Sequence, residues 1–478
     1  MDRWYDASVA RGLAVLLAAL AIGGEPVARA GEPALEPGFV GRPGADSDGY
    51  PLATADKRVS LRLLRARKFD SLDAWMNDLQ AQFEADWHKE YWPMDALDAF
   101  GNPDPSLNAL LDAWVEAKPE SYMARAARGM HRESLGWYAR GGKWASETPP
   151  EKFGRMRQEH RVAFPDLDDA LEMHPGLLAV HRALIRIANA NGAPIALKRR
   201  LLDQGLVQCP DCFQIRVTFI LALQPRWGGS YQAMSDFAGD AESRSTNPKM
   251  HTLAGFADAD RCNLLNRDKR KAEALEACNR ALTTGETFYA LLARGYVRER
   301  SDPATALADI NHALALRPQD TEALALRAWL LAQSRDYAGH ARDLALLREL
   351  DPVRKVSKAA LAWAAQGLVA DAARNRGAGR TDDQILALER AIALDPDNLD
   401  NHLRLDDALV HAGQLQRVPP MWRGYLKRHP NDARAHRELA GALHHLGQDP
   451  KALSEADAAC RLGDATGCAI VVRFGGHH

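Results

Sequence analysis

The sequence predicts an all-α fold, an α-solenoid of antiparallel helix pairs, and two observations support this prediction. From about residue 250 onward, small residues and prolines return at a near-constant interval, which indicates stacked repeats that bury one continuous core. Upstream, apolar residues recur at intervals of three and four, as on one face of a helix, at Leu72, Trp75, Leu79 and Phe83. Together the two patterns place helices along most of the chain.

The composition is that of an ordinary folded protein. Of 478 residues, 46% are hydrophobic and 26% are charged, which excludes bulk disorder. Lysine and arginine number 61 against 63 for aspartate and glutamate, so the formal charge is −2. A chain without a basic surplus lacks the electrostatic footprint of a nucleic-acid-binding protein.

The N-terminus predicts a signal peptide over residues 1–30. An apolar run from Gly12 to Ile22 is followed by Ala28 and Ala30, the small-residue spacing at which signal peptidase cleaves. The run is shorter than the roughly 20 residues that cross a bilayer, so no stable membrane span is expected after cleavage. We expect a periplasmic or secreted protein that begins after Ala30. An uncleaved anchor and a cytoplasmic protein are the alternatives.

Residues 31–57 are rich in glycine and proline without an apolar period, and we expect a flexible linker. A helical domain of unknown function with degenerate repeats is predicted over 58–245. There Ala163, Ala170 and Pro175 are separated by steps of seven and five residues, although Pro165 interrupts the helix that they define.

The repeat array is predicted over residues 250–470. Ala306 and Ala313 lie seven residues apart, hence on one helix face, and Pro318 follows five residues later. Small side chains on that face let a paired helix approach closely, and the proline ends the helix.

The prolines set a register of 34 residues. Pro352 follows Pro318 by 34 residues, and Pro430 follows Pro396 by the same distance. Between Pro352 and Pro396 ten extra residues occur, which we assign to a loop at Asn375–Arg380. The positions that define the register are Ala274, Ala281, Ala306, Ala313, Pro318, Pro352, Ala391, Pro396, Pro430, Ala452 and Ala459.

This pattern resembles the tetratricopeptide repeat family, over residues 255 to 465. The resemblance implies a right-handed superhelix that binds a protein or peptide in its concave groove. The stretch Ala458–Asp464, continuing to Gly467 and Cys468, resembles Sel1-like repeats, and that likeness implies a disulfide between Cys460 and Cys468. Two buried free thiols are the alternative.

Part of the N-terminal half resembles a family known as domain of unknown function 4034. The resemblance rests on Trp137–Gly141, Leu223–Ser230 and Phe237–Ala238, and it implies no activity. Within it, Arg226–Ser230 is interpreted as the turn of a helical hairpin, with Trp227 stapling the two helices; an anion-binding glycine loop is the alternative.

The other four cysteines give two disulfide candidates, since export would place them under oxidising conditions. In the repeat register, Cys262 and Cys278 face each other across one helix pair. Cys209 and Cys212 form a C-x-x-C motif, for which a structural cystine is favoured. A redox pair, a metal site and free thiols stay open as alternatives.

Phosphate-binding glycine patterns, paired-histidine zinc helices and serine nucleophile elbows are all missing, and the C-x-x-C is the only motif with possible chemistry. We therefore expect a protein that is not an enzyme and has no cofactor and no metal. The alternative function is a periplasmic thiol-disulfide enzyme that uses Cys209 and Cys212.

The expected function is an exported scaffold that binds a protein or peptide. Apolar Ala259 and Leu291 occupy positions where a carboxylate clamp of the tetratricopeptide type needs lysine and asparagine, which argues against such a clamp. Arg434 and Arg437 can meet an acidic partner, although paired arginines usually belong to a solvated surface. The predicted groove residues are Phe256, Ala259, Asn263, Phe288, Leu291, Arg298, Trp329, Asp407, His411, Arg434 and Arg437.

Overall fold

The computed structural model describes residues 35–143, 145–354 and 358–475. In this part of the chain α-helices dominate, and the predicted all-α class is confirmed. The predicted signal peptide over 1–30 lies outside the described residues.

The described residues contain two strands and twenty-three α-helices. The strands are β1 (Phe39–Ala45) and β2 (Pro51–Ala55). The helices are α1 (Lys57–Arg65), α2 (Phe69–Ala85), α3 (Tyr91–Asp98), α4 (Asn108–Ala117), α5 (Tyr122–Arg140), α6 (Pro150–Met173), α7 (Leu178–Ala190), α8 (Ile195–Gln208), α9 (Phe213–Ala222), α10 (Tyr231–Ser243), α11 (Phe256–Arg267), α12 (Lys271–Leu282), α13 (Phe288–Arg298), α14 (Pro303–Leu316), α15 (Thr321–Gln333), α16 (Tyr337–Leu350), α17 (Lys358–Gly377), α18 (Thr381–Leu394), α19 (Leu399–His411), α20 (Val418–Leu426), α21 (Ala433–His445), α22 (Asp449–Arg461) and α23 (Ala465–Gly475).

A β-hairpin replaces much of the expected linker. Strands β1 and β2 pair antiparallel, and at Gly41 a β-carbon would lie 2.3 Å from the carbonyl oxygen of Leu52, so only glycine fits there. Trp92 of α3 packs on Phe39 at 4.6 Å and donates a hydrogen bond to the Ala53 carbonyl oxygen at 2.9 Å. The flexible-linker prediction is therefore wrong for residues 39–55, because α3 holds the hairpin.

The chain divides into two compact units. The first comprises described residues 35–330 and 346–354, and the second comprises 331–345 and 358–475. Helices α15 and α16 contribute to both units. Each unit is described by itself below.

In the first unit, consecutive helices joined by short connections pack as hairpins, including α11 with α12 and α13 with α14. The small residues predicted to lie where paired helices cross are fully buried: Ala274 and Ala281 on α12, and Ala306 and Ala313 on α14. An alanine there leaves room for the partner helix, as the sequence pattern indicates.

Helix α6 continues through Pro165, contrary to the expected interruption. It lies close against α5, where a β-carbon at Gly129 would be 2.7 Å from Leu167 and one at Gly136 would be 2.6 Å from His160. Helix α6 therefore continues although Pro165 lacks the backbone N–H of one helical hydrogen bond, and it packs closely on α5.

The first unit closes on itself through the turn between α14 and α15, which contains Pro318. The backbone N–H of Lys57 donates to Gln319 Oε1 at 2.8 Å, and Gln319 Nε2 donates to Asp56 Oδ1 at 2.7 Å. The guanidinium of Arg317 lies 3.2 Å from the carboxylate of Asp95 on α3. Residues more than 200 positions apart thus meet and enclose the space inside the unit.

In the second unit, α17 packs on α18 and α21 packs on α22. The predicted small residues Ala391, Ala452 and Ala459 are buried. Pro396 lies between α18 and α19, and Pro430 lies between α20 and α21, as the register indicates.

The ten extra residues do not form a loop at Asn375–Arg380, and that prediction is wrong. Helix α17 has 20 residues where α15 and α19 have 13, and it runs through Gly377. The insertion mainly lengthens a helix, because most of its residues are compatible with helical structure.

All six cysteines lie in the described residues and form the three predicted disulfides. Cys209–Cys212 joins the end of α8 to the start of α9, Cys262–Cys278 joins α11 to α12, and Cys460–Cys468 joins α22 to α23.

Candidate functional site

Two adjoining cavities lie inside the first unit. Cavity A, of about 410 Å³, is lined by Asp98, Glu133, Trp137, Arg186, Arg317 and neighbouring residues. Cavity B, of about 320 Å³, is lined by Arg182, Arg186, Arg226, Asn263, Tyr289 and neighbouring residues. Arg186 belongs to both, so the two cavities meet at its side chain.

Helix α7 supplies the central charges. Arg182 and Arg186 are one helical turn apart and therefore point the same way, although most other residues of α7 are apolar and buried. Asp95 and Asp98, three residues apart on α3, form the corresponding acidic pair.

Arg186 is paired with a buried carboxylate. Its Nε and Nη2 donate to the two oxygens of Glu133 at 3.0 and 2.9 Å, and Trp137 Nε1 donates to the same carboxylate at 3.1 Å. Burial opposes the charge of Arg186, but the Glu133 carboxylate holds the pKa of the guanidinium above its ordinary value. Such a two-point pair is geometrically specific.

Arg317 is paired in the same way. Its guanidinium lies 3.2 Å from the Asp95 carboxylate and 3.5 Å from that of Asp98. Burial again opposes the charge, and the two carboxylates raise the pKa of Arg317.

Arg182 differs from both because it has only neutral partners. The residue is 7% exposed; its Nε donates to Thr218 Oγ1 at 3.1 Å and its Nη1 lies 3.1 Å from the Met94 sulfur. In the described part of the chain, no carboxylate oxygen lies within ion-pair distance of this guanidinium, and Asp98 acts on it only at longer range. Burial lowers the pKa of Arg182.

Glu90, the other carboxylate that interacts electrostatically with Arg182, is already engaged. It accepts hydrogen bonds from Tyr50 at 2.9 Å and from the backbone N–H groups of Phe213 and Gln214 at 3.0 Å. The carboxylate thus supplies hydrogen-bond acceptors for the first two backbone N–H groups of α9, which have no partner within the helix. Burial raises the pKa of the Glu90 carboxyl group.

The other groups of cavity B fall into two kinds. Arg226 is neutralised by Asp260 at 2.6 Å, and Asp260 also accepts from Gln224 and Tyr231 at 2.9 and 3.1 Å. Tyr289 lines the cavity, and its hydroxyl has no hydrogen-bond partner among the residues that the structure describes.

Only some of the predicted groove residues of the first unit line a cavity. Phe256, Ala259 and Asn263 line cavity B. Phe288 and Leu291 line neither cavity. Leu291 is completely buried, so its prediction as groove surface is wrong, whereas that of Phe288, which is 9% exposed, stays a prediction. A helix packed between two neighbours buries more than one face, and the repeat register does not distinguish those faces from the groove.

The remaining predicted groove residues line neither cavity. Arg298 is paired with Asp309 at 2.9 Å, and Trp329 is half-buried. In the second unit, Asp407 contacts Arg376 at 2.9 Å and His411 at 3.2 Å.

The two C-terminal arginines have carboxylate neighbours in the second unit. Arg437 is paired with Asp464 at 2.9 Å and with Glu438 at 2.7 Å. Arg434 is exposed, 3.8 Å from Glu438. Their role in meeting an acidic partner stays a prediction.

The segment Arg226–Ser230 forms the turn between α9 and α10, as predicted. Gly228 has a φ of 85°, and a β-carbon on Gly229 would lie 2.0 Å from the Leu223 carbonyl oxygen. Trp227 packs on Trp137 of α5 with ring centres 6.2 Å apart, and its predicted role in stapling α9 to α10 stays a prediction. The turn also lines cavity B through its first two residues.

The Cys209–Cys212 disulfide lies in a structural environment. Cys212 is completely buried and Cys209 is 6% exposed. Arg216 donates to the carbonyl oxygens of Cys212 and Pro210 at 2.7 and 2.6 Å, which fixes the loop. The Glu90 carboxylate at the start of α9 would disfavour a thiolate on Cys212, because two negative charges would then share that helix end.

Sequence reasoning missed Arg182, and it missed Arg186 with its carboxylate partner Glu133. The available signal was two arginines four residues apart in an otherwise apolar helix. No local pattern shows that one of them has a carboxylate partner and the other does not.

Among the described residues no group of three or more histidine, cysteine, aspartate or glutamate side chains is arranged to hold a metal ion. In the same part of the chain, no helix has the length and apolarity needed to cross a membrane.

The fold and cavities define a helical-repeat protein. Residues 57–203 match the family described as Domain of unknown function (DUF4034), so the matched part ends before the Leu223–Ala238 portion of the resemblance. No curated protein sequence matches the chain.

Solved structures of tetratricopeptide proteins are similar to the chain at low identity. The tetratricopeptide domain of P58(IPK) is 15% identical, covers 84% of this chain and 98% of its own, and has a TM-score of 0.24. YrrB, described as having an unusual peptide-binding site, is 15% identical with coverages of 42% and 99% and a TM-score of 0.22. A tetratricopeptide protein from Parabacteroides merdae is 15% identical with coverages of 59% and 93% and a TM-score of 0.20. Similarities at this level carry no functional argument.

Proposed function

We propose that this chain is an exported helical-repeat scaffold that binds a protein or peptide in cavities A and B of the first unit. The observation that carries the proposal is the pair of adjoining cavities, whose volumes of about 410 and 320 Å³ fall in the range of ligand sites. They combine aromatic side chains with fixed charges, which is how binding sites obtain both affinity and orientation.

The charged groups of these cavities favour binding over catalysis. The carboxylates of Glu133, Asp95 and Asp260 each contact an arginine, so their oxygens are already engaged in ion pairs. A rigid set of paired charges suits recognition of a partner.

The proposal of export rests on the disulfides and on the predicted signal peptide. Three disulfides persist best in an oxidising compartment, which favours the periplasmic or secreted location over the cytoplasmic alternative. N-terminal sequencing of the protein purified from its native cells tests this part. A chain that begins at Gly31 supports export with cleavage, and a chain that begins at Met1 contradicts cleavage.

The thiol-disulfide enzyme gains no support from the surroundings of Cys209 and Cys212. Thiol–disulfide exchange requires a thiolate to reach one sulfur of the pair, and both residues are buried. Alkylation after brief treatment of the folded protein with a reductant should leave this pair unlabelled.

Crosslinking in cells tests the binding proposal directly. Asn263 is exposed at cavity B, so Asn263→Trp would obstruct the cavity, whereas Glu276→Trp changes an exposed residue of α12 that lines neither cavity. We expect the parent chain and Glu276→Trp to recover the same partner and Asn263→Trp to lose it. Equal recovery by the two variants, or recovery of no specific partner, would contradict the proposal.

A further inference from the structure

We propose that cavity B binds a carboxylate group of the partner, held by the guanidinium of Arg182 and the hydroxyl of Tyr289. The inference rests on the proposed function and deepens it, because it names the chemical group that the partner presents. Three features carry it: a buried cation without an ion-pair contact, a hydroxyl without a hydrogen-bond partner among the described residues, and an open volume beside both.

The first feature is the charge of Arg182. Removing a guanidinium from water is costly unless an anion compensates for the lost hydration. Thr218 and Met94 offer a hydroxyl and a thioether, and a thioether is a weak acceptor. Among the described residues, no carboxylate therefore lies close enough to form an ion pair with this buried guanidinium.

The second feature is the contrast with the neighbouring arginines. The other guanidinium groups of the two cavities are each within ion-pair distance of a carboxylate: Arg186 with Glu133, Arg226 with Asp260, and Arg317 with Asp95 and Asp98. An incoming anion would form the most favourable ion pair with Arg182, since the other three guanidinium groups already contact carboxylates.

The third feature is the geometry left for a ligand. Nε and Nη1 of Arg182 contact Thr218 and Met94, so Nη2 is the guanidinium nitrogen without a hydrogen-bond partner among the described residues, and Arg182 lines cavity B. Tyr289 lines the same cavity, and its hydroxyl is free to donate a second hydrogen bond. Apolar walls that include Ile185 and Phe256 lower the local dielectric and strengthen a charged hydrogen bond.

The charge favours a carboxylate over a phosphate. A phosphate monoester carries about −1.5 to −2, more than the single charge of the guanidinium, and the carboxylates of Asp98 and Glu90 already act on Arg182 at longer range. In a protein partner, this carboxylate comes from an aspartate or glutamate side chain or from the chain terminus.

Short peptides test the inference on the full chain and distinguish the two sources. The probes are an end-blocked pentapeptide with one central glutamate, the same peptide with glutamine, and the glutamine peptide with a free C-terminal carboxylate. Affinities are measured by calorimetry at low ionic strength for the parent chain, Arg182→Met and Tyr289→Phe. Arg199→Met removes an arginine of α8 that lies outside the cavities and is paired with Asp203, which makes it the matched control.

We expect one or both carboxylate probes to bind the parent chain and Arg199→Met about tenfold or more tightly than the blocked glutamine peptide. Arg182→Met should abolish that preference, and Tyr289→Phe should reduce it several-fold. Because Tyr289→Phe removes one oxygen that bonds to nothing among the described residues, it remains informative if Arg182→Met does not fold.

The inference is overturned if no carboxylate probe binds in the millimolar range, if all three probes bind alike, or if Arg182→Met or Tyr289→Phe keeps the full preference. These outcomes leave the proposed function separately testable. A partner that is lost in Asn263→Trp yet insensitive to Arg182→Met would support the cavities as the binding site and refute the carboxylate chemistry.

Discussion

Replacing Arg186 with methionine is expected to destabilise the first unit by about 3 kcal/mol. Loss of one member of a buried ion pair costs about 3 to 5 kcal/mol, since the other charge remains buried without its partner. Here the Glu133 side chain is 5% exposed and would retain only the Trp137 hydrogen bond. The lower end of the range applies because the Arg186 side chain is 30% exposed.

Urea unfolding followed by circular dichroism measures this loss, with one transition fitted for each compact unit. Arg182→Met, one turn away on α7, is the matched control and should change stability by less than about 1 kcal/mol or increase it, because it removes a charge without an ion-pair partner. Adding Glu133→Gln to Arg186→Met should restore more than about 1 kcal/mol, since a buried amide is less costly than a buried carboxylate. A loss of less than about 1 kcal/mol in Arg186→Met, or equal losses in the two arginine variants, would refute the reasoning.

Three further predictions concern the first unit. Gly229→Ala should destabilise the first unit by about 2 kcal/mol or more in a thermal scan, because the added β-carbon meets a backbone carbonyl. Gly239→Ala, at an exposed position of α10 with open space around it, should stabilise the unit by about 0.5 to 1 kcal/mol. The reverse order of stabilities would contradict the turn geometry. Replacing Cys262 and Cys278 together by alanine should cost about 3 kcal/mol, as expected for opening a loop of this length, and an unchanged urea midpoint would contradict a stabilising disulfide. Burial lowers the pKa of three histidines of this unit, including His181, below the ordinary value of about 6.5. The unfolded chain therefore binds more protons than the folded chain, and the melting temperature should fall as the pH drops below that value. His181→Leu should make this fall shallower, and a melting temperature that stays constant or rises would contradict the prediction.

The helical repeats could be predicted because their signal is local. Ala306 and Ala313 lie seven residues apart because two turns of one helix face a paired helix, and both are fully buried. The β-hairpin could not be predicted in this way. Its glycines and prolines have the composition of a linker, and its order comes from α3, whose Trp92 lies outside the segment.

The site was predictable only in part. The register placed Ala259 and Asn263 on the inner face of α11, and both line cavity B. It misplaced Leu291, which is buried in the core, because a repeat period fixes the spacing of positions but not which buried face each one occupies. Arg182 was missed because its lack of a carboxylate depends on residues contributed by other helices.

Amide hydrogen exchange of the full chain, with and without the partner recovered by crosslinking, tests most directly whether the interior of the first unit is the binding site. We expect slower exchange in the Arg226–Ser230 turn and in α11 on addition of the partner, because both border cavity B. The second unit and the exposed face of α12 should exchange as before. Protection confined to the second unit, or absent from the turn and α11, would contradict the account.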